Sequence, residues 1–167
     1  MTESTRPAHE SSLLRRNVAG LIYGAIVAAA ALAVVSAHET HAYRVLIAAA
    51  VTLGVYYLAH VFTGVEAARL DHPTDSFVRD LRKSEWHELA VLYGGLPAIA
   101  VVAVASLFGA SISLAVDIAL WVTVGLLGLL GWFVGRAAHA TGWRLIAEVV
   151  GAAAFGMVLA ALKAILH

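Results

Sequence analysis

Three ionisable side chains lie inside or at the edges of long apolar blocks, each in a different block: His60, Glu88 and Glu148. An imidazole with two carboxylates suits a divalent cation such as Zn, Mn or Fe. The same groups suit a proton relay in a transporter. Tyr23 and Tyr56 fall at a comparable depth and would serve as hydrogen-bonding walls. Apart from such a cation, no cofactor is expected. The same residues also admit a structural reading. Glu88 can be the last solvated residue of a preceding amphipathic helix. His60 can donate to a backbone carbonyl or to Tyr23, and Glu148 can pair with Arg136 or Arg144.

A second constellation is simpler. Asp117 and Lys163 fall near the same end of the last two apolar blocks, each on its helix's small-residue face. An isolated charge in hydrocarbon costs several kcal/mol and finds a partner, so an Asp117–Lys163 ion pair is expected. At about 100° per residue, Thr52, Tyr56, His60 and Thr63 form one stripe that can turn away from lipid. "HETH" at 38–41 places two imidazoles three apart, which is not the HExxH spacing of a zinc protease, and reads as a solvated loop. No Ser–Lys or Ser–His pairing and no GxSxG occurs in the apolar blocks, so an intramembrane serine protease is not expected.

The elements that must position these groups follow from composition. Hydrophobic residues make up 61% of the 167-residue chain and charged residues 13%, about half the roughly 25% of a soluble domain. The apolar residues are gathered into five blocks, each long enough for the roughly 20 helical residues that a hydrocarbon core about 30 Å thick requires. Short alternating segments, the mark of a membrane β-barrel, are absent. The fold expected is therefore all-α: a polytopic membrane bundle of five transmembrane helices, at about residues 18–37, 45–65, 87–109, 112–135 and 144–166. A cytoplasmic tail, 1–16, would precede a single domain, 17–167. The first block exceeds the roughly 7–15 residues of a signal-peptide core, and an uncleaved span is expected. With a net charge of zero and no cysteine, nothing points to nucleic acid, disulfides or thiolate metal sites.

Basic residues prefer the cytoplasmic side. Nine of them fall in alternate segments, against only Arg44 and Lys163 on the other side. The expected threading is N-terminus in and C-terminus out across the cell membrane. A short amphipathic cytoplasmic segment, with Phe77, Leu81 and Leu89 at helical spacing, would lead into the third span. Pro97 in "GGLP" predicts a kink within that span. Small residues recur at packing intervals: Gly20 and Gly24 in the first span; Gly125, Gly128, Gly131 and Gly135 in the fourth; Ala152, Gly156 and Ala160 in the fifth. They are expected to bring helices close within the bundle or between copies in a homo-oligomer, with the lipid bilayer as the other partner.

"LIYG" at 21–24, "YYLAHVF" at 56–62, "SEWHEL" at 84–89 and the closing "LKAILH" resemble small integral membrane proteins common in high-GC actinobacteria, a group that implies no known activity. The layout of five spans with a charged loop after the second is also similar to the vacuolar iron transporter family. That resemblance implies a metal transporter. However, Tyr23–Gly24 stand where such transporters carry an Asn-Asp-Gly-type motif, so no metal ligand carries over. The expectation is a non-enzymatic membrane protein with a structural or assembly role; the alternative is a cation or metal transporter using His60, Glu88 and Glu148.

Overall fold

The computed structural model describes the backbone of residues 6–71 and 77–166, and side-chain surroundings for 17–64, 66 and 89–165. These fold into five helices: α1 (Arg6–Ser36), α2 (Ala42–Asp71), α3 (Phe77–Leu107), α4 (Ile112–Ala137) and α5 (Trp143–Leu166). Each contains a stretch long and apolar enough to cross a membrane: Asn17–Ser36, Ala42–Gly64, Leu89–Leu107, Ile112–Ala137 and Trp143–Ile165. The chain is thus an all-α protein of the multi-pass membrane class. Helices are the expected solution, because each satisfies its own backbone hydrogen bonds where water is absent.

The first three helices reach well beyond the expected limits, α2 running on to Asp71. α1 starts at Arg6, inside the segment expected as a tail, and α3 runs unbroken from Phe77 through Pro97 to Leu107. Among the described residues no separate short helix precedes the third span; residues 77–88 are the first turns of α3 itself. The side chains that would make that segment amphipathic lie outside the described residues.

Local chemistry ends the helices. After α3, Gly109 takes φ +82, the amide of Ala110 reaches back to the Ala105 carbonyl and that of Gly109 to the Ser106 carbonyl. This is the Schellman arrangement, which satisfies carbonyls that a helix end leaves bare. Ser111 then caps α4, its hydroxyl accepting from the Leu114 amide. After α4 the same closure recurs, Ala140 to Gly135 and His139 to Arg136, but the left-handed position is held by His139 at φ 56. Between α1 and α2 the turn is pinned by Arg44 donating to Glu39.

α1 packs against all four other helices, while α2 packs on α3, α3 on α4 and α4 on α5. Among the described residues α2 and α5 share no substantial packing, so the ring around α1 stays open along that side. The buried apolar core, including Leu32, Val45, Val102, Val116 and Leu120, occupies the half of the bundle beside the α1–α2 turn. Glycine dominates the other half. A methyl on Gly24 would overlap the Val91 carbonyl oxygen and lie 2.7 Å from its carbon; one on Gly94 would lie 2.7 Å from the Leu21 carbonyl carbon. α1 and α3 therefore meet backbone to backbone. A second tight seam joins α4 and α5, where a methyl on Gly131 would lie 2.8 Å from the Ala152 methyl and one on Gly156 2.8 Å from Val124 Cα.

Candidate functional site

Lys163, near the end of α5, is only 4% exposed. Its ammonium group donates to the Ser113 carbonyl (2.8 Å), the Ser113 hydroxyl (3.2 Å) and Asp117 Oδ1 (2.5 Å). Three acceptors around one ammonium replace its water shell, as a charge taken out of water requires. Ser113 and Asp117 are one helical turn apart at the start of α4, so both face α5 at one level. The two partners are not equivalently placed: the Lys163 side chain is 5% exposed and that of Asp117 51%.

At the opposite end of the spans, Tyr56 stacks on His60 one turn along α2, ring centroids 6.0 Å apart and 16° from parallel. Tyr23 of α1 lies 6.5 Å from the same imidazole. The structure thus gathers Tyr23, Tyr56 and His60. The threonines of the stripe are occupied differently: Thr52 donates to the Ala48 carbonyl at 2.8 Å and Thr63 to the His60 carbonyl at 2.9 Å.

Glu148 is not in this group. It is exposed on α5, its stem lying against Gly135 of α4, and among the described residues α5 shares no substantial packing with α2. Among the described residues it pairs with neither Arg136 nor Arg144, and no three His, Asp or Glu side chains are arranged to hold a metal ion. Glu88 lies on α3, with its side chain outside the described residues. In the first connection, His38 contacts the Val34 carbonyl, Thr40 contacts His41, and Glu39 takes Arg44, so "HETH" is used up locally.

The small residues sort by neighbour. Gly20 and Gly24 meet α3, Gly131 and Gly135 meet α5, Gly156 meets Val124, and Gly128 lies within ordinary reach of Ala153. Ala152 faces Gly131, and Ala160 packs on the core. Gly125, on the same small-residue ladder in the sequence, instead faces open space. Sequence reasoning overlooked Ser113, whose signal was its position four residues before Asp117, and the close approach of α1 at Gly94, which it read as part of a proline kink. The Ser106 hydroxyl is buried without a hydrogen-bond partner among the described residues.

The fold defines a five-helix membrane bundle, and the sites add two polar clusters at opposite ends of its spans. Comparison with protein-family models, curated proteins and solved structures finds no match to this chain.

Proposed function

We propose that this is a non-enzymatic protein of the cell membrane with a structural or assembly role, whose charged groups inside the spans serve helix packing. The observation that carries this reading is the threefold engagement of Lys163 by Ser113 and Asp117, which fastens the end of α5 to the start of α4. An ammonium so enclosed is held in place rather than offered to a substrate. The excess of basic residues on alternate segments supports a threading with the N-terminus cytoplasmic and the C-terminus outside. On that threading, the first turns of α3 form an amphipathic cytoplasmic segment. Gly125 and Gly151, where an added methyl would meet nothing among the described residues, support close approach of a second copy in a homo-oligomer.

The test is a double-mutant cycle on detergent-purified protein. Asp117→Asn and Lys163→Met each lower the unfolding midpoint, and the double variant recovers much of the loss; additive losses remove the lock. The same protein reports on the competing transporter role. Saturable thermal protection by one cation, abolished in His60→Ala and in Glu148→Gln, would replace this reading with cation transport through His60, Glu88 and Glu148. Reporter fusions that place His167 on the same side as Met1 would overturn the threading.

A further inference from the structure

We infer that the exposed face of α4 is the surface on which two copies of this chain pair in the membrane, the Trp121 indole of each copy donating to Asp117 of the other. The inference rests on the self-association proposed above and names its interface. It also gives the Asp117–Lys163 lock a second role, since the Asp117 carboxylate is then shared between the lock and the partner copy.

Trp121 is 59% exposed. It stands nine residues after Ile112, where its span begins, about 14 Å along the helix and so near the bilayer midplane. Tryptophan favours the headgroup boundary, where one end of its ring can be wet, and Trp132 and Trp143 stand nearer to that level. The Trp121 N–H has no hydrogen-bond partner among the described residues. By contrast Thr123, the other polar side chain at this depth of α4, is buried and donates to the Ala119 carbonyl. Water and lipid ester carbonyls lie at the boundary, and acyl chains at the midplane offer no acceptor, so a donor left unmet there is costly.

Asp117 supplies an acceptor on the same face. Asp117, Trp121 and Gly125 are spaced i, i+4 and i+8, which sets them on one ridge of α4. Asp117 gives Oδ1 to Lys163; Oδ2 has no partner among the described residues, and half of the side chain is accessible. Helical aromatic side chains lean toward the N-terminus, so the Trp121 ring stands at the level of Asp117, a turn earlier. Among the described residues no hydrogen bond joins the two within one chain. Copies threaded alike through one membrane are parallel, and a twofold axis along the membrane normal sets equal levels against each other. The donor of each copy then meets the acceptor of the other, twice over. Gly125 leaves a gap on the ridge, where an added methyl would meet nothing within 4 Å, so a second backbone can come close beside the indoles. A lipid acyl chain fills that gap equally well but satisfies no donor.

The chain has no cysteine, so a single introduced cysteine reports cleanly. In membranes holding the full chain, Gly125→Cys is expected to cross-link to a dimer under mild oxidation, and Gly54→Cys, on α2 and equally open, is not. Dimerisation is then followed in liposomes by energy transfer as the protein-to-lipid ratio is varied. Trp121→Phe, which keeps a ring and removes the donor, should raise the dimer dissociation constant about eight- to three-hundredfold, the worth of two interhelical hydrogen bonds. Gly125→Leu should abolish the dimer, and Gly54→Leu should leave it unchanged. In a background of Asp117→Leu with Lys163→Met, which replaces the ion pair by apolar side chains, Trp121→Phe should have no further effect. Circular dichroism confirms that each variant is folded. The same response to Trp121→Phe in both backgrounds, including none, overturns the proposal. A dimer that survives Gly125→Leu also overturns it, and its loss instead in Gly151→Leu moves the self-association to α5. A chain that stays monomeric at every ratio overturns both the interface and the self-association beneath it.

Discussion

Replacing Gly24 with alanine tests whether the α1–α3 seam is a true backbone contact. The added methyl would overlap the Val91 carbonyl oxygen and lie 2.7 Å from its carbon. Carbon atoms pack at about 3.5–4.0 Å, so the helices must part by about 1 Å, and a gap of 0.5–1 Å already forfeits roughly a quarter to a half of each dispersion contact along the seam. Overpacking of this kind typically costs about 1–3 kcal/mol. The obstruction here is backbone rather than a side chain that can swing away, so the top of that range, about 3 kcal/mol, is expected. Gly54→Ala, inside α2, is the matched control. Its methyl meets nothing within 4 Å, and it removes a helix-interior glycine worth roughly 0.8–1.0 kcal/mol. Denaturation in mixed micelles with increasing SDS, followed by tryptophan fluorescence, compares the two. The expected result is opposite signs. Equal stability of both variants would mean that α1 and α3 are not in backbone contact at Gly24.

Two further changes follow from local geometry. His139 occupies a left-handed position at φ 56, where a side chain costs about 1–2 kcal/mol relative to glycine; His139→Gly should raise the denaturation midpoint, and a lower midpoint would show that the imidazole has a compensating role. Ser106 carries a buried hydroxyl without a partner among the described residues. Since such a group costs about 1–3 kcal/mol, Ser106→Ala should be neutral or stabilising, and a marked loss in the same assay would reveal a partner to that oxygen.

Length and polarity were legible in the sequence because both are local. Roughly 20 apolar residues in a row specify a span whatever their neighbours do, and the five observed stretches end within a few residues of the expected limits. Asp117 and Lys163 could also be anticipated as neighbours, because α4 and α5 are consecutive antiparallel helices and the two residues fall at matching depths. Helix order is different. Nothing in the apolar runs marks α1 as the helix that touches all others, or α2 and α5 as the two edges of an open ring. Without that order, His60 and Glu148 share only a depth, and a common depth does not bring groups together across a bundle. Glycine was ambiguous for a similar reason: Gly94 and Gly125 look alike in sequence, and only the partner helix decides that one is a contact and the other a free face.

The unequal burial of the lock makes its two halves distinguishable. Lys163 is enclosed while half of the Asp117 side chain is accessible, near the end of α4 where headgroups and water come within reach. Removing the lysine as Lys163→Met leaves a carboxylate that solvent can satisfy, and fills the vacated space with an apolar chain of similar length. Removing the negative charge as Asp117→Asn takes a charged acceptor away from an ammonium that is enclosed rather than solvated. Breaking a buried pair on the side that strands a charge costs about 3–5 kcal/mol, whereas an exposed partner released to water costs about 1 kcal/mol or less. Asp117→Asn should therefore destabilise more than Lys163→Met, by about 2 kcal/mol or more in the same SDS titration. The reverse order would mean that Lys163 escapes along its own stem to the headgroup layer, and that the Ser113 carbonyl and hydroxyl do not hold it in the membrane.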